Sequence, residues 1–155
     1  MSPSRNDIQF FGTLSAAMTH DMKNCLAIIN ENAGLLADLA VKAQDKAIPF
    51  DPLKAASISE KIGKLVSRAD DMMKRFNRFA HSMDHDKETV DLEEAVNLIA
   101  RLAERILLQG RIRLTVIPAS APCRIHASRF AVLHLIFRAV DSLCRNQTDG
   151  TLDSE

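Results

Sequence analysis

The segment from residue 52 to residue 83 repeats apolar side chains at alternating steps of four and three residues. The repeat consists of Ile58, Ile62, Leu65, Ala69, Met72, Phe76, Phe79 and Met83. Because an α-helix turns by about 100° per residue, such a heptad repeat places all of these side chains on one stripe. Asp51 before Pro52 has the order of an N-cap and a first helical residue. The sequence therefore predicts a long helix from about Pro52 to Met83 with a single apolar seam.

A similar repeat precedes this segment and predicts a first helix from about Asp7 to Lys42. Its seam positions are Ile8, Phe11, Met18, Met22, Cys25, Ile29, Leu36 and Leu39. Ser15 and Asn32 interrupt the seam. Further apolar residues widen the stripe, namely Leu14, Leu26, Ile28 and Leu35. Because the connection between the two helices is short, we expect an antiparallel helical hairpin and a mainly α fold.

A lone hairpin leaves half of each apolar stripe in water. Pairing two hairpins into a four-helix bundle removes that exposure. We therefore expect a homodimer of parallel or near-parallel hairpins. In the alternative arrangement, the chain stays a monomer and its own C-terminal segment folds back over the stripe.

The second half of the chain predicts a smaller domain that begins with a helix. A charged linker, DHDKET, occupies residues 84–89. Asp91 has the position of an N-cap for a helix from Leu92 to about Leu108, and Gly110 ends that helix. We divide the chain into a hairpin domain at residues 1–86 and a small α/β domain at residues 87–155.

Two strands and a last helix are predicted after Gly110. The alternation in RIRLTVIP, residues 111–118, is typical of a strand, and CRIHAS, residues 123–128, favours a second short strand. Ser128 can cap the final helix, which begins RFAVLHLIFRAVDSLC. Because that helix is apolar on nearly every side, we expect it to be buried.

Composition restricts the location and the partners of the chain. The 155 residues carry 20 basic and 20 acidic side chains, so the net charge is zero and gives no general attraction to nucleic acid or membrane. Without Trp or Tyr there is no aromatic platform for bases. No apolar run reaches the length of about 20 residues that spans a membrane, and the N-terminal residues lack a signal-peptide pattern. Three scattered cysteines fit reduced thiols, so we expect a cytoplasmic protein.

His20 interrupts the otherwise ordinary first helix. It lies about 160° around the helix from Met22, so its ring is predicted to point away from the seam. Its neighbours on that side are small or polar and leave the imidazole open to a large partner: Ala16, Ala17, Lys23, Asn24 and Ala27. A plain surface histidine is one interpretation of this position, just as Lys23 can be a solvated surface lysine.

Asp21 and Asn24 favour a reactive histidine. An imidazole is a nucleophile at neutral pH when one ring nitrogen is unprotonated. A nearby carboxylate can hold the proton on the other nitrogen and stabilise the cation that forms during attack. An amide one turn away can orient a water or a phosphoryl oxygen. The three side chains together predict a site that accepts a phosphoryl group.

The stretch THDMKNCLAIINENAGLL resembles the H-box of sensor histidine kinases, in which a histidine and an acidic residue precede Thr or Asn and then often Pro. The second helix, ending in MMKRFNRFAHSM, is similar to the second helix of the same dimerisation and phosphotransfer hairpin, so the resemblance covers residues 7–85. Cys25 replaces the usual proline, which implies a straighter helix. The resemblance implies that His20 accepts the phosphoryl group, Asp21 tunes the ring and Asn24 positions water or a phosphoryl oxygen. Ala16, Lys23 and Ala27 would meet the partner.

The order of elements after residue 90 resembles the first part of the ATP-binding domain of histidine kinases. Two asparagines in that family hold magnesium and phosphates, and His134 and Arg138 of HLIFRA occupy their positions here. The five glycines are isolated and form no phosphate-binding cluster. The resemblance therefore implies a degenerate, shortened domain that binds no ATP in the family's manner.

Some dimeric histidine phosphotransfer proteins combine such a hairpin with such a domain. They carry a phosphoryl group between aspartates of response-regulator receiver domains, and the receiver supplies the Mg²⁺. We therefore expect a phosphotransferase in a phosphorelay that binds no cofactor or metal itself and is not an autonomous kinase. Asn24 can add phosphatase activity. The alternatives are a non-catalytic module that docks on and inhibits a receiver or kinase, and a fragment of a sensor kinase.

Overall fold

The computed structural model describes residues 4–44 and 49–149. The fold is mainly α: a long helical hairpin is followed by a small α/β region with a two-stranded antiparallel sheet. The elements are α1 (Arg5–Lys42), α2 (Pro52–Ala80), β1 (Glu88–Asp91), α3 (Leu92–Leu102), α4 (Glu104–Gln109), β2 (Arg124–Ala127) and α5 (Arg129–Asp149). Among the helices of the described part of the chain, none is both long and apolar enough to cross a bilayer.

Both hairpin helices begin at side chains that satisfy free backbone N–H groups. At α1, the Ser4 hydroxyl accepts from the Asp7 N–H at 3.2 Å, and the Asp7 carboxylate accepts from the Ser4 N–H at 2.9 Å. This reciprocal arrangement is a capping box. At α2, Asp51 accepts from the Lys54 N–H at 3.0 Å, which confirms the predicted N-cap. Local sequence therefore defines where each long helix starts.

The predicted seam of α2 is confirmed along most of its length. Ile58, Met72 and Phe79 are buried, and the seam positions between them are half-buried. Met83 is the exception, because it is half exposed whereas the neighbouring Ser82 is buried. A single 3₁₀ turn at residues 81–83 follows α2, and its tighter winding turns Met83 away from the seam.

The seam of α1 is confirmed at Met18 and Cys25 but is wrong in its first turns. Ile8 is 61% exposed, and the buried side chains there are Phe10 and Leu14. The physical reason is an aromatic cluster centred on Phe10. Its ring contacts those of Phe79, Phe130, His134 and Phe137 at centroid distances of 5.4, 5.4, 4.7 and 5.2 Å.

The described chain divides into two compact units. One, here called the mixed unit, contains the chain up to Met18 and from Arg75 onward; the other, the hairpin unit, is Thr19–Lys74. In the mixed unit, α5 packs against α3 and the 3₁₀ turn. The division predicted between residues 86 and 87 stays a prediction about domains.

The sheet joins one predicted strand to one that was not predicted. β2 lies where a second short strand was predicted, and it pairs antiparallel with β1, with Val90 opposite Ile125. β1 includes the end of the segment predicted as a charged linker. The sequence did not indicate β1, because Val90 is the only one of its four residues that is buried and the others are polar.

The strand predicted at residues 111–118 is wrong. Residues 112–119 belong to no strand of the described chain. Residues 112–116 line one cleft together with side chains of α3 and α4, so this segment runs along the two helices without joining the sheet. An alternating pattern forms a strand only where a second strand offers backbone partners, and β1 pairs with β2.

Two helix predictions in this region also need correction. The helix predicted from Leu92 to Leu108 begins as expected, with the Asp91 carboxylate accepting from two N–H groups, but it breaks at Ala103. Ala103 and Leu107 are both buried at this break. Neither Gly nor Pro occurs there, so the sequence gives no sign that the helix ends. The predicted burial of the last helix on nearly every side is wrong, since α5 buries one side and leaves Leu135 71% exposed.

Candidate functional site

His20 lies on the exposed side of α1, as its angle from the seam predicted. About half of its side chain is accessible, at 51%. Lys23 and Ala27 are exposed on the same helix, and so is Ala16. Ala17, which was expected on this side, is buried instead, because the stripe of α1 in the mixed unit extends to it.

Asn24 makes a direct polar contact with the His20 ring. The amide nitrogen of Asn24 lies 3.0 Å from Nδ1 of His20, across one turn of helix. An amide nitrogen only donates, so in this rotamer Nδ1 is unprotonated and the proton is on Nε2. Rotation of the amide by half a turn presents its oxygen, which accepts from a protonated Nδ1 and leaves the lone pair on Nε2. Asn24 thus selects which ring nitrogen is the nucleophile.

Asp21 lies farther from the ring than its place in the sequence implied. Its carboxylate oxygen is 3.9 Å from Nδ1 of His20, beyond the length of a hydrogen bond. Adjacent residues on a helix point about 100° apart, which explains this distance. At 3.9 Å the carboxylate lies beside the ring without a hydrogen bond to Nδ1.

Cys25 anchors this part of α1 to α2. Its thiol is 4% exposed and donates a hydrogen bond to the Leu65 carbonyl at 3.1 Å. The contact places residue 25 of α1 beside residue 65 of α2. Because the helices are antiparallel, a residue that follows position 25 by a given number lies beside the residue that precedes position 65 by the same number. α1 is one continuous helix through this point.

The hairpin unit exposes two different flanks beside its seam. The residues directly after Cys25, Asn32, Leu39, Ile58, Leu65 and Met72 form the first, here called the apolar flank: Leu26, Ala33, Ala40, Ser59, Val66 and Met73. The residues directly before Ile29, Leu36, Ile62 and Ala69, together with Lys54 one heptad before Lys61, form the second, here called the basic flank: Ile28, Leu35, Lys54, Lys61 and Arg68. Because the helices are antiparallel, the members of each flank lie on the same side of the hairpin.

A second histidine contact, in the mixed unit, was not predicted. Nδ1 of His134 lies 2.9 Å from the Asp7 carboxylate, and the ring stacks on Phe10. Hydrogen bonds from Ser4 are the main cause that lowers the pKa of the Asp7 carboxyl, and His134 adds to the effect. His134 is therefore part of the packing of α5 on α1. No sequence signal links residues 127 positions apart.

His81 and His85 do not form a metal site with their neighbours. His81 instead contacts the Asp84 carboxylate at 2.7 Å. Within residues 4–44 and 49–149, no three His, Cys, Asp or Glu side chains are grouped as metal ligands.

Comparison with known proteins adds no family: no family model, no curated protein and no solved structure matches this chain. A function is therefore inferred from the residues themselves. Among them, His20 combines exposure, a tautomer-selecting partner and a rigid helical support.

Proposed function

We propose that this chain is a histidine phosphotransfer protein of a two-component phosphorelay, with His20 as the phosphoryl acceptor. The observation that carries the proposal is the exposed His20 ring with the Asn24 amide group 3.0 Å from Nδ1, since rotation of that amide by half a turn makes Nε2 the nucleophile. A histidine held in this way offers one nitrogen to a protein partner while the other is held by the amide. No ATP-dependent step by this chain is part of the proposal.

The transfer begins with the Asn24 oxygen accepting from Nδ1–H. The lone pair of Nε2 attacks the phosphorus of an aspartyl phosphate on a receiver domain. The N–P bond forms as the bond from phosphorus to the carboxylate oxygen breaks, and the receiver recovers a free aspartate. The ring then carries positive charge, which the Asp21 carboxylate at 3.9 Å stabilises. Transfer to a second receiver reverses these steps, and in each case the receiver supplies the Mg²⁺.

A homodimer through the apolar flank is the second part of the proposal. Leu26, Val66 and Met73 are 59%, 52% and 44% exposed in a single chain. Small residues continue the flank on both helices, with Ala33 and Ala40 after Leu26 and Ser59 before Val66, so another hairpin can approach closely there. The aromatic cluster around Phe10 already packs α5 on the first turns of α1, so the exposed flank of residues 19–74 is what a second copy would cover.

The small α/β region is proposed to be a degenerate ATPase-like domain. Its elements run in the order β1, α3, α4, β2 and α5, which differs from the predicted order of helix, strand, strand and helix. The support that remains is the packing of α3 on α5, together with His134 and Arg138 at the asparagine positions of HLIFRA. His134 is held by Asp7 and Phe10, so it cannot replace an asparagine as a ligand of magnesium. On this proposal the domain binds no nucleotide.

The proposal is tested by incubating the protein with receiver domains of the same organism that carry radioactive phosphoryl groups. The wild-type chain is expected to gain label that is stable in alkali and lost in acid, as phosphohistidine is. His20→Ala should gain none, and His126→Ala, which changes another exposed histidine, should label normally. Label on the His20→Ala chain would refute the assignment.

A docking module without phosphoryl transfer is the second candidate. It is favoured by the rotamer in which the amide nitrogen faces Nδ1, because Nε2 then carries the proton and is no nucleophile. In that case the wild-type chain would slow the phosphorylation of a receiver without gaining label, and His20→Ala would slow it equally.

A further inference from the structure

The basic flank carries cations at regular steps of seven residues along α2. Lys61 and Arg68 each come one residue before a position of the heptad seam, and Lys54 comes seven residues before Lys61. All three side chains are exposed. Among the described residues, no carboxylate forms an ion pair with any of these three cations. The repeat therefore places three cations without ion pairs along one edge of a chain whose net charge is zero, with the Asp21 carboxylate at the end of that edge beside His20.

Other cations of α2 are compensated within the helix. Lys64 forms an ion pair with Glu60 at 2.7 Å, and Lys74 forms one with Asp70 at 2.6 Å. The pairing lowers the pKa of Glu60 and raises the pKa of Lys74. Among the described residues, Lys54, Lys61 and Arg68 differ from Lys64 and Lys74 in forming no ion pair, although Asp51 and Asp71 lie three residues from Lys54 and Arg68.

Apolar side chains of α1 lie beside these cations. From the contact between Cys25 and Leu65, Ile28 is level with residue 62 and so lies next to Lys61. Leu35 is level with residue 55, next to Lys54. Ile28 and Leu35 are 44% and 47% exposed, which leaves both available for contact.

The basic flank starts close to the candidate site. By the same register, Arg68 is level with residue 22, within one turn of His20 and Asn24. From there to Leu35 the flank extends about 20 Å along the hairpin. A partner that binds along the basic flank therefore has one end beside the His20 imidazole.

We propose that the basic flank binds an acidic amphipathic helix of the phosphoryl-donating protein. Apolar side chains of that helix would pack on Ile28 and Leu35, and its carboxylates would face Lys54, Lys61 and Arg68. The identity of the partner as a receiver domain rests on the proposed function. The choice of an acidic helix rests on charge complementarity and on the alternation of exposed apolar and cationic residues.

The test compares two variants with the same change of charge. Lys61→Gln with Arg68→Gln neutralises the basic flank, and Lys64→Gln with Lys74→Gln neutralises compensated cations of the same helix. The measurements are transfer from receiver domains phosphorylated with acetyl phosphate, at several ionic strengths, and labelling by phosphoramidate, which is too small to need docking.

The basic-flank variant is expected to lower kcat/KM for transfer about tenfold through KM and to weaken its dependence on salt. Its kcat and its labelling by phosphoramidate should match the wild type, and the Lys64 and Lys74 variant should stay within about twofold on every measure. Equal kcat/KM and equal salt dependence in both variants would overturn the inference.

Direct binding separates this inference from the proposed function. Titration of unphosphorylated receivers gives a Kd whether or not phosphoryl transfer occurs. If transfer fails but the basic-flank variant binds a receiver about tenfold more weakly than the control variant, docking stands and the proposed chemistry fails. If no receiver binds, or if the basic flank instead mediates binding to duplex DNA or to vesicles with anionic lipid, the acidic-helix proposal is wrong.

Discussion

The side-chain amide of Asn24 lies 3.0 Å from Nδ1 of His20, one turn along the same exposed helix face. This contact is shorter than the 3.9 Å between Nδ1 and the neighbouring Asp21 carboxylate, so of these two groups the amide is the one within hydrogen-bond distance of the ring. The hydrogen-bonding role of an amide reverses when it rotates by half a turn, so a partner that favours one rotamer also determines which nitrogen can react.

Asn24→Ala is expected to slow transfer to His20 about three- to tenfold, the value of one modest hydrogen bond. Asn24→Asp keeps an acceptor towards Nδ1–H and should lose less activity. Nitrogen chemical shifts of the His20 ring supply the control, because they should change from one tautomer to a mixture in the alanine variant. Unchanged tautomer populations and an unchanged rate would contradict this role.

Charges on the apolar flank should separate the proposed dimer. Val66→Glu with Met73→Glu places two carboxylates where another hairpin is expected to pack, so the chain should become a monomer with its helix content retained. Light scattering coupled to size-exclusion chromatography gives the mass. Ile28→Glu, on the basic flank, is the matched control and should remain a dimer. An unchanged mass for the Val66 and Met73 variant would place the interface elsewhere.

Leu133 and Leu135 test whether α5 is buried on one side only. Leu133 is fully buried and Leu135 is 71% exposed. Leu133→Ala should lower the free energy of unfolding by about 2–5 kcal/mol through lost burial and a cavity. Leu135→Ala should change it by no more than about 0.5 kcal/mol. Similar losses at the two positions in urea denaturation would mean that another surface covers Leu135.

Asp7 should make stability depend on pH in the acid range. Its folded pKa is lowered from the ordinary value of 3.8, mainly by hydrogen bonds from Ser4. A group with a lowered folded pKa stabilises the fold fully above its unfolded pKa, and the contribution is lost as pH falls through the folded value. Asp7→Asn should therefore be less stable than wild type above pH 3.8 and approach it below.

Urea denaturation across that range measures the effect of the Asp7 carboxyl. Ser4→Ala removes the hydroxyl that donates to this carboxylate, so in a Ser4→Ala background the substitution Asp7→Asn should cost less stability above pH 3.8 than it does in the wild type. A constant difference in stability between wild type and Asp7→Asn at all pH values would show that the ionised carboxyl has no part in it.

The hairpin could be predicted from sequence because its signals are local. Heptad spacing and the cap at Asp51 act within one helix, and they placed α2 within a few residues of its observed bounds. The same angular reasoning predicted that His20 faces water. It could not rank Asp21 against Asn24 as the partner of Nδ1, because their distances depend on side-chain rotamers.

The remaining features were decided by contacts between distant segments. Ile8 and Phe10 are both apolar residues near the start of α1, and only packing against Phe79 and α5 chose Phe10 for burial. The alternation at residues 111–118 could not show that β2 would be the strand to pair with β1. Periodicity along a chain reports which side chains share a face, whereas the partner of that face is set by the free energy of burial and hydrogen bonding over the whole fold.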